Sequence, residues 1–240
     1  MKDLSWLSRT EALVGRSALE KLAQSHVMVL GLGGVGSFAA EFICRSGVGK
    51  MTIIDGDTVD PSNRNRQLPA LATNHGVSKA KIMEERLKAI NPELDLTIVE
   101  DFIMPEKIPA LLAYKPDYCI EAIDSITPKL FFIRQALEAN IPFVSSMGAG
   151  GKMDPTKIKI DDISKSYNCK LAAHIRKKLR KHQIRNGFKV AFSSELPNKE
   201  SLLYTDGSNF KKSAYGTMSY LPAAFGGAIA SVAIRDLIEP

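Results

Sequence analysis

The stretch His26-Val-Met-Val-Leu30-Gly31-Leu-Gly33-Gly34-Val-Gly36 decides the fold. An apolar run that ends abruptly in glycine reads as a strand buried on both faces of a parallel sheet. Gly31, Gly33 and Gly36 have the G-x-G-x-x-G spacing, and Gly34 to Arg45 puts small and apolar residues on one helical face. A glycine turn between a strand and a helix lets the backbone approach a phosphate, and the helix start supplies unpaired N–H groups and a partial positive charge. By itself the spacing suits a dinucleotide dehydrogenase as well as an ATP user, and it also fits a turn that binds nothing.

The same alternation extends outward. A helical stretch, Glu11 to Gln24, precedes the strand. After it come a strand at Met51 to Ile54 closed by Asp55, a polar loop from Gly56 to about Asn74, and a helix from His75 to Ile90 that stops at Asn91-Pro92. Leu94 to Val99 reads as a strand, Pro105 to Ala113 as a helix, Tyr118 to Ile123 as a strand and Pro128 to Ala139 as a helix. Ile141 to Ser145 is the next strand and runs into the Gly148-Ala-Gly-Gly151 turn. Strand–helix alternation of this kind predicts βαβ units and an α/β fold: a doubly wound, Rossmann-like, mostly parallel sheet. Beyond Gly151 the rhythm changes to a strand at Lys157 to Ile160, a basic helix at Leu171 to His182, a strand at Phe188 to Phe192 and a loop from Pro197 to Lys212.

Composition narrows the class. The chain has 240 residues, 45% of them hydrophobic, which is ample for one sizeable core. Cys44, Cys119 and Cys169 form no Cys-x-x-Cys pair, so neither a disulfide framework nor a cysteine zinc site is expected, and reduced thiols point to the cytoplasm. The first residues contain no apolar core of a signal peptide. Ser213 to Ile234 carries no charge and is long enough to span a bilayer, but Pro222, Gly216, Gly226, Gly227 and several hydroxyl residues interrupt it. It reads as a buried or subunit-interface segment, with membrane association disfavoured. The net charge is +6, yet nine basic and no acidic residues lie between Lys165 and Lys189. Outside that segment acidic residues outnumber basic ones, so the positive excess is one local patch.

The residues after Asp55 identify the nucleotide. A carboxylate at the end of the second strand accepts hydrogen bonds from ribose hydroxyls, which NAD and ATP share. Asp55-Gly-Asp57 is followed by Asn63-Arg64-Asn65-Arg66-Gln67, and then by Lys79. Arg66 and Lys79 suit a triphosphate attacked at its α-phosphorus, where charge-assisted contacts offset developing charge. Glu121-Ala-Ile-Asp124-Ser125 ends a strand on the same crevice, and Asp124 offers the carboxylate oxygen that Mg²⁺ prefers. Residues 1–150 therefore read as an ATP-binding Rossmann-like region. Residues 151–240 read as a C-terminal extension of the same domain that completes the sheet and serves substrate binding and dimerisation.

These motifs resemble the ubiquitin-activating-enzyme-like (ThiF-type) adenylating superfamily in the Gly31–Gly36 loop, Asp55-x-Asp57, Asn63-x-x-Arg66-Gln67, Lys79 and Asp124. The resemblance implies that Gly31, Gly33, Gly34 and Gly36 line the nucleotide loop, with Asp57 and Ser125 beside it. It implies that Asp55 binds ribose, that Asn63, Arg66 and Lys79 contact phosphates, and that Asp124 helps to hold Mg²⁺. It further implies a homodimer in which an N-terminal arginine, here Arg9, reaches the phosphates across the interface. The cysteine pairs of carrier-activating relatives are missing, and Cys169 reads as a bystander. The basic helix, with Leu171, Ile175 and Leu179 on its apolar face and Arg176, Lys177, Arg180, Lys181 and the following Arg185 outside it, points to a phosphate-rich partner.

With Gly148-Ala-Gly-Gly151-x-x-Asp154-Pro155, this helix is similar to the tRNA threonylcarbamoyladenosine dehydratase group. That similarity implies ATP-dependent adenylation of the threonine carboxylate of threonylcarbamoyladenosine in tRNA, followed by cyclisation with net loss of water. It allows a cysteine desulfurase or sulfur-acceptor protein as a further partner. Three rivals stand beside it: an enzyme adenylating the C-terminus of a sulfur-carrier or ubiquitin-like protein, an NAD-dependent oxidoreductase, and a nucleotide-binding protein with no activity.

Overall fold

The computed structural model describes residues 3–204 and 213–239. Seven strands form one sheet: β1 (His26–Leu30), β2 (Lys50–Ile54), β3 (Asp95–Val99), β4 (Tyr118–Glu121), β5 (Phe143–Ser146), β6 (Ile158–Asp162) and β7 (Lys189–Ser193). Their order is β3-β2-β1-β4-β5-β7-β6. All neighbours are parallel except β6 and β7, which pair antiparallel at the edge. The chain moves outward from β1 through β2 to β3 and then returns to the other side of β1 at β4. The strand order thus reverses between β1 and β4, and the crevice beyond their C-terminal tips is where an open α/β sheet binds its ligand.

Helices α1 (Ser8–Val14), α2 (Arg16–Gln24), α3 (Gly36–Arg45), α4 (Lys79–Ile90), α5 (Ile108–Leu112), α6 (Ile126–Glu138), α7 (Lys170–Arg180) and α8 (Tyr220–Ile238) complete the chain, with a small hairpin of β8 (Leu202–Tyr204) and β9 (Ser213–Tyr215). One core lies between the sheet and α3, α4 and α8, built around Val27, Val29, Ile53, Met83, Phe225 and Ile229. The other lies on the opposite face under α5, α6 and α7, around Met28, Leu30, Phe132, Ile133, Ile175 and Phe192. β1 is buried along its whole length, as its unbroken apolar run requires.

Several boundaries differ from the sequence reading, each for a local reason. The first helical stretch is divided at Gly15, whose φ of +83° suits glycine and ends α1. The helix expected from His75 starts at Lys79 instead. Residues 74–78 are held in a turn in which Gly76 has φ +81° and donates to Val59 O, and the Ser78 side chain caps α4. That shift places Lys79 at the first position of the helix. The Tyr118–Ile123 strand ends at Glu121, because the Glu121 carboxylate turns back to accept the Ile123 N–H at 2.7 Å. The Pro105–Ala113 helix begins as a separate 3-10 turn at Pro105–Lys107. Of the loop expected from Pro197 to Lys212, residues 205–212 lie outside the described ones.

The uncharged segment forms β9 and α8. The helix is long and apolar enough to cross a membrane, yet Leu221, Phe225, Ile229, Ala230, Val232 and Ala233 are buried in the core. Gly226 lies so close to α3 that an added Cβ would fall 2.7 Å from Val35 O. The glycines that interrupt the apolar run thus allow two helix backbones to approach.

Candidate nucleotide-binding site

The glycine loop leaves the tip of β1 and has room for no side chains at its two ends. Gly31 has φ +90° and packs against the backbone of Ala122 beyond β4, and an added Cβ at Gly36 would fall 1.8 Å from Gly31 O. The loop opens into α3 with no side-chain cap. Ser37 N and Ala39 N donate to Gly33 O and Val35 O, and the partial positive charge of the helix start faces the crevice without a competing carboxylate in its first turn.

Asp55 braces the loop. One of its carboxylate oxygens accepts the Leu32 N–H at 2.6 Å and the other accepts the Asp57 N–H at 2.8 Å. Burial pushes the Asp55 carboxyl above its ordinary value, and the nearby Lys79 ammonium opposes that rise. Lys79 is itself buried, and its Nζ lies 3.0 Å from Asp57 Oδ2. Lys79 N also donates to Asp57 O. The loop after β2 and the start of α4 are therefore locked together around one ammonium group. Beside Asp55, at the tips of β2 and β3, Ile54, Val99, Phe102 and Tyr114 line a recess of about 510 Å³.

The Pro61–Asn65 turn presents the next group. Asp60 and Asn63 cap it reciprocally, with Asn63 buried. Arg66 follows. Its Nη1 donates to Ser62 O at 3.0 Å and to Asn65 Oδ1 at 2.8 Å, and its Cγ lies 3.4 Å from where a Gly34 Cβ would stand. Gly34 thus makes room for Arg66. Gln67 lies 4.0 Å from the Cβ position of Gly33, and its Oε1 is buried without a hydrogen-bond partner. A buried amide oxygen needs a donor. A ribose hydroxyl or adenine amino group would supply one, and with the amide turned over its NH₂ would meet a phosphate. The orphaned atom and the open space beside Gly33, where the nearest atom to an added Cβ is the Gln67 amide nitrogen, both fit a nucleotide.

Asp124 and Ser125 stand at the tip of β4, with Asp124 exposed and Ser125 half-buried at the start of α6. Among the described residues no cluster of three metal-ligating side chains occurs. One protein carboxylate still suits Mg²⁺, which keeps several waters and shares the oxygens of bound phosphates. Directly beneath lies a polar network with no solvent exposure. Lys129 Nζ of α6 pairs with Glu121 Oε2 and donates to Ser145 Oγ at 3.2 Å and to Ser146 O at 2.9 Å. The sequence reading missed this pair and gave Gln67 no role. Lys129 stands eight residues after Glu121, in the first turn of α6, in a string that looks like an ordinary exposed helix start.

Two groups of expected site residues lie elsewhere. Leu7 packs on Gly47, before β2, and Asp3 N donates to Glu93, before β3. Both contacts are at the N-terminal ends of the strands, so the exposed Arg9 on α1 lies at the opposite end of the sheet from the glycine loop of its own chain. In the basic helix, Lys177 and Arg180 and the following Lys181 and Arg185 are exposed. Arg176 is not on the open face: it is half-buried and its guanidinium donates to Ser166 Oγ. α7 starts at the strand-tip end, against Gly148, and runs about 16 Å away from it.

The model of the ThiF family matches residues 7–240. The chain is 44% identical over 194 residues to the tRNA threonylcarbamoyladenosine dehydratase of Bacillus subtilis, covering 81% of this chain and 76% of that relative. It is 42% identical over 179 residues to the Escherichia coli enzyme of the same name, covering 73% and 67%. The crystal structure of E. coli tRNA N6-threonylcarbamoyladenosine dehydratase in complex with ATP superposes with a TM-score of 0.89 at 35% identity, over 98% of this chain and 94% of that one.

Proposed function

The chain belongs to the ThiF family, and from that premise we propose that it is an ATP-dependent tRNA threonylcarbamoyladenosine dehydratase. The observation that carries the reading is the convergence of the glycine loop, Asp55, Arg66, Gln67 and the Lys79–Asp57 pair on the crevice at the strand switch. The threonine carboxylate attacks the α-phosphorus of ATP. The bond to the β-phosphate oxygen breaks, and pyrophosphate leaves. The carbamoyl group then closes onto the activated carbonyl and expels AMP, so the net change is loss of water from the nucleoside. Arg66 and Lys79 face the negative charge that grows on the phosphates, the start of α3 binds one phosphate group, Asp55 takes the ribose, and the adjoining recess gives the base an apolar wall. Asp124 would hold Mg²⁺, which would supply charge neutralisation at the phosphates when bound. No protein nucleophile enters the sequence of steps. Burial pushes the Cys44 thiol up to about 12 and raises Cys119 as well, so neither forms a thiolate at neutral pH. The cytoplasm, where tRNA and ATP are both abundant, is the compartment this reading assigns to the reaction.

The direct test is ATP–pyrophosphate exchange with and without tRNA carrying the modification. Exchange that depends on the modified tRNA is expected, and exchange driven instead by a small carrier protein would replace this reading with carrier activation.

Arg9 completes the site from the partner subunit of a homodimer, since its own chain holds it at the far end of the sheet. Arg9→Ala and Arg66→Ala proteins are each expected to be inactive alone and to regain activity when mixed and allowed to exchange subunits. A mixture as inactive as its parts would remove Arg9 from the mechanism.

Lys177, Arg180, Lys181 and Arg185 bind RNA phosphates along the exposed side of α7. Replacing Lys177 and Arg180 with glutamine is expected to flatten the slope of log K against log salt by roughly 0.7–0.9 for each lost contact. An unchanged slope would make the patch a solvated surface.

A further inference from the structure

A second cavity, of about 740 Å³, lies between the first turns of α7 and the segment 196–200. Its lining is divided by chemistry. Lys170, Arg176 and Lys199 supply three cations, against the single carboxylate of Glu200, while Ala173, Leu196 and Pro197 form an apolar wall. Leu196 is 73% exposed, a large aliphatic side chain turned to an open space. Two of the cations are held in place before any ligand arrives. Lys170 Nζ lies 5.2 Å from the centre of the Tyr215 ring, and the Arg176 guanidinium is tied to Ser166 Oγ. An apolar wall facing fixed cations is the complement of a nucleoside phosphate, with the base against the wall and the phosphate among the ammonium groups.

The position of the cavity says which nucleotide. Asn198 N donates to Gly151 O at 2.7 Å, and Pro197 packs on Gly151, so segment 196–200 is fastened to the turn that follows β5. Cys169, at the cap of α7, packs on Gly148 of the same turn. β5 pairs with β4, whose tip leads to Asp124. On the other side Gly151 N donates to Gly216 O, and Asn65 Nδ2 donates to Thr217 O at 3.0 Å, which fastens this wall to the turn that carries Arg66. The cavity therefore opens at the same end of the sheet as the nucleotide site, one strand further along and at the head of the basic side of α7. It has no lining residue in common with the nucleotide site and is joined to it through the hydrogen-bonded turns at Gly151, Gly216 and Asn65.

We propose that this cavity receives the nucleotide adjoining the modified adenosine in the substrate RNA, with its base on Leu196, Pro197 and Ala173 and its phosphate between Lys170 and Lys199. The inference rests on the RNA-modifying reading above and deepens it. It assigns the cavity to the reacting end of the RNA and the exposed basic residues further down α7 to the stem. Because Lys170 and Lys199 lie near the reacting nucleotide while Arg180, Lys181 and Arg185 lie toward the far end of α7, the RNA stem runs down the helix away from the ATP.

The test uses the full-length chain with two substitutions at exposed lining residues, Lys199→Glu, which reverses the charge, and Ala173→Trp, which fills the space. Three quantities are measured: affinity for a stem-loop RNA carrying the modified adenosine, affinity for ATP, and turnover of the free threonylcarbamoyl nucleoside, which has no neighbouring nucleotide. Each variant is expected to lose about tenfold in RNA affinity, and as much in kcat/KM on the stem-loop, with ATP affinity and free-nucleoside turnover unchanged. Wild-type RNA affinity in both variants overturns the proposal. Parallel loss on the free nucleoside also overturns it, because the residues would then serve the reacting centre. A cavity that takes a free mononucleotide instead would show as a second AMP bound per wild-type chain and lost in Lys199→Glu, and that too would overturn it. If wild-type protein fails to bind or convert any modified RNA, the functional reading itself falls, an outcome separate from failure of the variants alone.

Discussion

Replacing Lys79 with alanine is expected to slow adenylation, read as tRNA-dependent ATP–pyrophosphate exchange, by about 10²–10³-fold, the effect of removing one preorganised charge from a site of developing charge. The reasoning starts from where the side chain is held. Lys79 is buried at the first turn of α4, its backbone N–H fixed to Asp57 O and its ammonium 3.0 Å from Asp57 Oδ2. A charge kept rigid and shielded from water interacts with a phosphate far more strongly than a mobile surface lysine. Asp57 is 42% exposed, so losing its partner leaves that carboxylate largely hydrated, and the fold should survive the change. Asp55 would feel the loss more, since Lys79 opposes the upward push of burial on its carboxyl. The measurement pairs the exchange assay with a thermal melt. A melt close to wild type together with the lost rate assigns Lys79 to the reaction, and normal exchange would remove it. Arg66→Ala is expected to fall in the same range, and the double variant to lose less than the product of the two, because both act on one charge.

The sequence made the β1 loop and the sheet legible because both are written locally. A buried strand must be an apolar run, and the loop must be glycine at positions where a Cβ would strike backbone, as at Gly36. Lys79 and Arg66 were legible as residues but not as geometry. That Lys79 begins a helix depends on the turn through Gly76, and that Arg66 reaches the glycine loop depends on the cradle at Gly34. Arg176 was legible as a cation but not as geometry, because helical spacing describes faces and not side-chain partners, and Ser166 lies ten residues upstream. Arg9 could not be placed from sequence, since it is the tertiary contacts of Leu7 with Gly47 and of Asp3 with Glu93 that put it at the far end of its own sheet. Lys129 was invisible for a related reason. Its partner is the strand tip that precedes its own helix, and nothing in the composition of α6 marks one of its residues as wholly buried.

That buried lysine leads to the second large effect. Lys129→Met should lower stability by about 3–5 kcal/mol, because it strands the Glu121 carboxylate without a counter-charge at zero exposure. For a chain of this size the melting temperature would fall by about 10 °C. If Glu121 were only a misplaced charge, the loss would be structural and nothing more. The geometry argues otherwise. Glu121 Oε1 holds the Ile123 N–H, and the backbone of Ala122 and Ile123 packs on Gly31, so this carboxylate joins the tip of β4 to the glycine loop. Protonating or displacing it should loosen the turn that presents Asp124. Lys129→Met is therefore expected to raise KM for ATP as well as to destabilise the fold. The double variant Glu121→Gln/Lys129→Met separates the two effects. It removes both charges but keeps an oxygen to accept from Ile123, so it should recover most of the stability and most of the ATP affinity. Glu121→Leu/Lys129→Met removes the acceptor too, and should recover stability without recovering KM. Equal KM values in the two double variants would show that the pair fills space beneath the site and does not set its shape.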